Sequence, residues 1–493
     1  MKQETTTITP LAYRLRDSAE VLQKNGHPIL SLHFPLKYMV LHPHWAPVFE
    51  SLIRKNFVAF QDILSRVKNT DHVKTEIFLN DLVRKGFLEL QGLPTLPNYP
   101  TVSIIIPVRN RPEEITGCLQ SLSRLDYPAE KMDVIVVDDA SADKTPDVVS
   151  RFPVHLVTLE EHRQASYCRN LAAQRAQGDI LAFLDSDCTA GPLWLRELVP
   201  AFRDPSIGAV GGVVDSYFNE KGLDRYEQVK SSLNMGSWPK SSREDNYFFY
   251  TPTCNLLVRK GPFFEVGGFR DDMVVGEDVD FCWRLQDQGH HVEYRPAGRI
   301  FHKHRNKLRQ FCTRRFDYGT SEPSLQRSHP KRTKEFVVSP TAFIFWALVL
   351  LTMTSGWIPL LGLCGVTFLT DSLTKYTKVR KNHVPIAFPR FLLVTLREYF
   401  TFLYHCCAFV SRYYLFWAVL IFMWLPLVSI ALFGMHLLTG IGEYIIKKPR
   451  LNFPFFLFYF TFDQLSYQLG VWWGCFKKLF FSPINPQVVR KPS

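Results

Sequence analysis

Apolar and polar positions alternate in three different rhythms along the chain. In the first ninety or so residues, short apolar stretches give way to helical periodicity. Leu11–Arg16, Pro28–His33 and Leu36–Leu41 read as strands. Trp45, Val48, Phe49, Leu52 and Ile53 then recur at helical spacing and make one apolar stripe. Two further helices are expected at Val58–Val67 and Val73–Lys85. The second gathers Ile77, Phe78, Leu82 and Val83 on one face, and Gly86 stops it. Short strands followed by three helices predict a small winged-helix-like module over residues 1–95.

After Leu93–Pro100, a stretch with three prolines that reads as a linker, the rhythm changes. Val102–Pro107, Val134–Val137, His155–Leu159 and Ile180–Leu184 are short apolar runs, the mark of strands buried on both faces. Helical stretches separate them, which predicts a mostly parallel sheet with crossover connections over residues 96–335. Polar and acidic residues gather where each run ends, and such sheets bind ligands at the carboxyl ends of their strands. The most telling end is Leu184-Asp185-Ser186-Asp187, where two carboxylates one residue apart offer hard oxygen ligands to a cation and a diphosphate. Asp139, after the second run, suits a base, a ribose or a helix cap. Arg169 suits a phosphate or an internal salt bridge. No G-x-G-x-x-G follows the first strand and no G-x-x-x-x-G-K-[ST] is present, which disfavours a dinucleotide-dependent dehydrogenase and a P-loop NTPase.

The last third, residues 336–493, is apolar and aromatic. Phe336–Thr370 holds no charged residue, is flanked by basic residues on both sides, and is broken at Ser355–Pro359. That pattern predicts a hairpin of two membrane helices with both ends cytoplasmic. Tyr413–Gly442 carries Glu only past its end and is long enough to cross again. Arg390–Arg412 reads as interfacial, and Leu451–Phe476 either crosses with Asp463 paired or lies at the interface. About three membrane helices are expected, placing the chain in the cell inner membrane as a multi-pass protein with its catalytic domain cytoplasmic. Met1–Arg14 has no apolar core and is not expected to act as a signal peptide.

Composition sharpens this picture in two places. The net charge of +12 over 493 residues suits nucleic acid, anionic lipid or phosphorylated substrates. No nucleic-acid-binding signature is present, so lipid and phosphate are preferred and no nucleic-acid partner is expected. The ten cysteines show no C-x-x-C spacing, so neither a zinc knuckle nor a disulfide framework is indicated.

The central motifs together resemble family 2 glycosyltransferases of the GT-A fold, the Rossmann-like nucleotide-diphospho-sugar transferases. The resemblance rests on Ser103–Asn110, Val136–Asp143, Cys168–Asn170, Gly178–Asp187, Pro252–Arg259, Gly267–Phe269 and Gly276–Leu285, in the order that family has them. It implies that Pro107, Arg109 and Asp139 surround the uracil and ribose of a UDP-sugar donor, with Arg169 nearby and Asp185 on the ribose. It implies that Asp187 holds a divalent cation, Mg²⁺ or Mn²⁺, with His302 as a further ligand. Asp278 is then the general base that takes the acceptor's proton, inverting the anomeric centre, and Glu277 an acceptor ligand or electrostatic neighbour. Processive members carry Q-x-x-R-W, whereas here Gln310–Phe316 is out of register and lacks the tryptophan.

The leading region resembles the PqqD-like domains that recognise precursor peptides, on Tyr13–Arg16, the strand pair before Leu41 and Phe78–Leu88. Such domains add a peptide as a strand to a sheet edge. The combination of a PqqD-type domain, a family 2 catalytic domain and a helical membrane tail resembles the mycofactocin system glycosyltransferase family. It implies transfer of glucose from UDP-glucose, as a β-linked chain, to a peptide-derived redox cofactor or its precursor, with membrane lipid as a further partner. Two rivals stand beside it: a membrane glycosyltransferase making lipid-linked or surface polysaccharide, and a non-catalytic binding scaffold. The intact Asp185, Asp187 and Asp278 count against the scaffold.

Overall fold

The computed structural model describes residues 10–490 apart from 25, 33–36, 68–70, 94, 95, 97, 244–247 and 382–386. Most of the stretch examined for a signal peptide, and parts of Pro28–His33, Leu36–Leu41 and the proline-rich linker, lie outside the described residues. The chain forms two compact units. The first runs to Arg305 apart from residues 33–38, and the second takes in those residues and the chain from Asn306 on.

An eight-stranded mixed sheet organises the first unit. From edge to edge it runs Lys240–Ser241, His291–Tyr294, Ile207–Gly211, Asn255–Arg259, Ile180–Leu184, Val102–Val108, Met132–Asp138 and His155–Thr158. The four strands expected from apolar runs are adjacent and parallel. Their runs are continuous because both faces are covered: Ile180, Ala182 and Leu184 enter one core, Leu181 and Phe183 the other. Asn255–Arg259 is antiparallel to both of its neighbours, and so departs from the parallel pattern expected. A small second sheet, Cys188–Ala190, Ile300–His302 and Val214–Ser216, lies beyond the D-x-D. Asn255 ties these parts together. Its amide donates to the Val213 and Gly298 carbonyls at 2.9 and 2.8 Å and accepts from Trp194 Nε1 at 2.7 Å.

The leading module belongs to this same unit. Three helices, Ala46–Leu52, Phe60–Leu64 and His72–Arg84, form where expected, the second shorter than its pattern. Asp71 caps the third by accepting from Val73 N at 2.8 Å, and Trp45 stacks on Phe78 at 4.3 Å. Strands Ala19–Lys24 and Leu88–Gln91 escaped the pattern. Their apolar alternation is diluted by Glu20, Gln23, Glu89 and Gln91, and cross-strand pairing with His27–Leu32 and Ala12–Leu15 holds them. Val58–Ala59, expected as the start of a helix, pairs with Ala12–Tyr13.

Two ion pairs dock the module on the sheet. Arg84 reaches Glu293 on the strand His291–Tyr294 at 2.5 Å, and Glu76 meets Arg203 at 2.5 Å. Glu293 is only 1% exposed. Arg84→Met leaves that carboxylate with Arg295 at 3.4 Å as its remaining ion-pair partner, and is expected to cost about 2 kcal/mol of stability in urea unfolding.

The second unit is helical. Leu308–Ser328, expected in the catalytic domain, belongs here and packs along Phe453–Lys478. Glycines allow the approach: a Cβ on Gly474 would stand 2.9 Å from the Thr320 carbonyl. Inside the pair Arg315 meets Asp463 at 3.2 Å, and Lys334, beyond the first helix, meets Glu322 at 2.7 Å. Asp463 is thus paired, as one of its two expectations required. Arg315 is buried there.

The expectation of about three membrane spans is corrected. Among the described residues one helix, Pro426–Lys447, is long and apolar enough to cross a membrane. Pro340–Ser355 has 16 residues, too few, and its hairpin partner Pro359–Lys381 carries Asp371, Lys375 and Lys378 on its second half. Phe388–Tyr413 includes Arg397, Glu398 and Arg412, and Phe453–Lys478 includes Asp463 and two lysines. A strongly apolar surface nevertheless remains, with Met353 80%, Met423 83% and Leu427 81% exposed.

Candidate active site

The site forms where strands end. Met132–Asp138 delivers Asp138 and Asp139. Asp138 accepts from Ser141 N at 3.1 Å and shapes the turn. Asp139 is buried and accepts three bonds from one loop: His162 Nδ1 at 2.7 Å, Arg163 N at 2.6 Å and Gln164 N at 3.0 Å. Its carboxylate therefore builds the loop at the start of helix Gln164–Arg175, where Gln164 holds a left-handed φ of 73°. Pro107 lies within strand Val102–Val108 opposite Val137, and Arg109 is exposed beyond that strand's end.

Ile180–Leu184 ends at Asp185, and the chain turns through Ser186 to Asp187 before pairing again as Cys188–Ala190. Cys188 stands opposite His302 in antiparallel register, so the imidazole arrives beside Asp187. His302 Nε2 is 3.4 Å from Asp187 Oδ1, and its Nδ1 is 3.1 Å from His304 Nδ1, which in turn lies 3.5 Å from Glu227. A carboxylate and a second imidazole behind a ligating histidine fix its tautomer and orientation. Glu227 comes from helix Gly222–Lys230, and nothing in its local pattern marks it.

These residues fit a hard divalent cation. Ligand atoms of Asp187, Cys188 and His302 all lie within 4.8 Å of one another, and Asp187 Oδ1 is buried with no hydrogen-bond partner among the described residues. Burial alone would raise the Asp187 carboxyl, but His302 and Arg111 reverse this and hold it below the usual range. Burial pushes the Cys188 thiol well up, so it stays protonated and is a poor ligand for Mg²⁺ or Mn²⁺. Arg111, which the sequence reading passed over, forms an ion pair with Asp187 Oδ2.

Arg169 is 3% exposed and clasps two carboxylates, Asp185 at 2.7 Å and Glu277 at 3.1 Å. Of its two possible roles, the internal salt bridge is the one formed. It couples the D-x-D to helix Glu277–Asp287, whose start follows Gly276 at φ 85°. A side chain other than glycine is strained at that φ, which explains the residue before the acidic pair. Asp280 pairs with Arg284 at 2.8 Å, and Arg284 donates to the Gly268 carbonyl at 2.7 Å, so this pair organises the helix and its neighbouring loop.

Asp278, on the first turn, accepts from Val279 N at 2.8 Å. Burial pushes its carboxyl up to about 7, and the Glu277 carboxylate adds to the shift. A carboxyl at that pKa is poised for general base work near neutral pH. Below pH 7 it carries a proton and cannot accept another, so turnover should rise as pH passes about 7. Glu277→Gln removes the adjacent negative charge, and the acid limb of the kcat/KM profile is expected to move to lower pH. A limb that stays in place would separate Glu277 from the base.

Part of the chain is similar to known proteins. Residues 103–269 match the model of glycosyl transferase family 2. The chain is 32% identical over 260 residues to the pre-mycofactocin glycosyltransferase of Mycobacterium tuberculosis H37Rv, covering 52% of this chain and 54% of that protein. It is 32% identical over 200 residues to glycosyltransferase AglE of Haloferax volcanii, covering 40% and 64%. The chain thus spans about half the length of the first of these curated relatives (54%). Among solved structures, the mannosyltransferase PcManGT from Pyrobaculum calidifontis, in complex with GDP-mannose and Mn²⁺, aligns over 62% of this chain and 88% of its own, at 20% identity and a TM-score of 0.39.

Proposed function

We propose that this chain, whose residues 103–269 match the model of glycosyl transferase family 2, has a catalytic domain of the GT-A fold and transfers a hexose from a UDP-sugar with inversion. The donor is UDP-glucose and the acceptor the peptide-derived precursor of mycofactocin, on which a β-linked oligosaccharide is built. The observation that carries the catalytic reading is Asp278. Its carboxyl is held near neutrality and is connected through Glu277 and Arg169 to the carboxylate end of Ile180–Leu184.

In this reading the uracil and ribose lie against Pro107, Arg109 and the loop that Asp139 builds, with Asp185 on the ribose. Asp187 and His302 hold the divalent cation, Mg²⁺ or Mn²⁺, which when bound supplies Lewis-acid neutralisation of the leaving diphosphate. Asp278 takes the proton of the acceptor hydroxyl as that oxygen bonds to C1 and the C1–O bond to UDP breaks on the opposite face. One base suffices, because inversion needs no covalent intermediate. Arg169 keeps Asp185 and Glu277 from drifting apart between turnovers.

The leading module serves as the PqqD-like element that receives the precursor peptide at a sheet edge. The helical unit associates with the inner membrane through its exposed apolar residues, with the catalytic domain on the cytoplasmic side where UDP-sugars are made. That same surface favours a second reading, transfer to a lipid-linked glycan.

Donor turnover by the detergent-extracted full chain separates the two. UDP-glucose is compared with other nucleotide sugars, with Mg²⁺ or Mn²⁺, on the processed peptide product and on lipid acceptors. Mass gains of one or more hexoses on the peptide-derived acceptor are expected. Transfer to lipid alone, with that acceptor ignored, would replace the first reading by the second.

A further inference from the structure

The cleft supplies a cation of its own. Arg111 follows the end of strand Val102–Val108 and leads into helix Pro112–Leu122, and its guanidinium pairs with Asp187 Oδ2. Its main chain is fixed, with Arg111 N donating to Thr145 Oγ1 at 2.9 Å and proline next in the chain. Its side chain is 28% exposed, whereas that of Asp187 is 8% exposed. The root is held, and the head is partly exposed beside the buried carboxylate.

A divalent ion approaching Asp187 and His302 meets this guanidinium on the same carboxylate. Two cations at contact distance on one carboxylate repel, and more strongly where protein replaces water. The ion therefore gains Asp187 at the expense of the ion pair. A guanidinium released there lies beside whatever anion the ion carries, and its planar fork of donors matches phosphate oxygens.

We propose that Arg111 competes with the divalent ion for Asp187 and, once displaced, engages the diphosphate of the donor. It thereby weakens binding of the bare ion and strengthens binding of the ion together with the nucleotide. This rests on the metal-dependent transferase reading above. The consequence is thermodynamic coupling: ion and nucleotide favour each other's binding more strongly with Arg111 than without it. Arg111 is a positioning residue of the donor site, and no proton transfer is asked of it.

The test uses the full chain in detergent. Mn²⁺ binding is followed by electron paramagnetic resonance without nucleotide, and UDP binding by calorimetry at saturating Mn²⁺, for wild type, Arg111→Met and Arg111→Lys. Arg111→Met is expected to bind Mn²⁺ alone about tenfold more tightly, and UDP with Mn²⁺ about tenfold more weakly, the size of one charge-assisted contact. Arg111→Lys, which keeps the charge but loses the fork, should fall between the two. Mn²⁺ affinity that is unchanged or weaker in an Arg111→Met protein with the wild-type melting transition overturns the proposal. Should Arg111→Met melt early, Arg111→Lys decides, and a Mn²⁺ affinity at or below wild type overturns it. A wild-type protein that binds no Mn²⁺, with or without UDP, overturns the metal-dependent reading as well. Wild-type Mn²⁺ binding with unaltered variants overturns this inference alone.

Discussion

Asp278→Asn should lower kcat by about 10²–10⁴-fold, the range lost when a positioned general base is removed, while the affinity for UDP with Mn²⁺ stays near wild type. The side chain keeps its size, and the amide oxygen can still accept from Val279 N, so the helix start is undisturbed. What disappears is the ability to take a proton. The same substitution carries a signature in stability. The folded-state carboxyl sits at about 7, above the ordinary value near 4, so the native state binds this proton more tightly than the unfolded chain does. Its contribution is full below about pH 4 and is lost as pH rises through about 7. Asparagine carries no such penalty. The variant should therefore gain on the order of 4 kcal/mol over wild type at pH 8 and little at pH 4. Thermal melts at the two pH values check this, and single-turnover rates check the base. Wild-type turnover in this variant would remove Asp278 from the chemistry.

The second large effect falls on Arg169. Arg169→Met leaves Asp185 and Glu277 facing each other without the guanidinium that holds them at 2.7 and 3.1 Å. Deleting one member of a buried ion-pair network strands the others, and the loss here should be about 3 kcal/mol, discounted towards the lower end because Asp185 is partly exposed. Activity should fall by more than about tenfold, since misplacing catalytic groups by even 1 Å is costly. Arg169→Lys is expected to recover only part of both, because one ammonium cannot span the two carboxylates as a fork does. Urea unfolding and kcat/KM measured on the same preparations separate the structural loss from the catalytic one. Equal stability in Arg169→Met and wild type would mean that the clasp carries no weight.

The strand ends were legible because burial on both faces leaves continuous apolar runs, and a carboxylate that interrupts such a run is conspicuous. Asp139, Asp185 and Asp187 stand out in the sequence that way. Arg111 was missed for a local reason. Arg109 and Arg111 are two apart, and in a regular strand both would face the same side. Asn110 between them holds a left-handed φ of 51°, which ends the alternation and sends only the second arginine to Asp187. The support behind His302 was invisible for a non-local reason, since Glu227 lies 77 residues before His304 and meets it only through tertiary packing. The membrane reading went too far because charge-free runs in sequence were counted as spans. The helices that form have other boundaries and take in flanking charges such as Asp371, Lys375 and Arg412.

The docking of the leading module bears on modularity. A proline-rich stretch between two regions invites the reading that they can be separated, exchanged or fused elsewhere. The ion pairs Arg84–Glu293 and Glu76–Arg203 say otherwise, because each joins one half to the other and each has a carboxylate buried from water. A truncated gene beginning after the linker would express a catalytic half that strands Arg203, and its partner half would strand Glu76. Recombination at that boundary succeeds only when a recipient already carries a glutamate and an arginine in the matching places, two residues that lie outside the piece being moved.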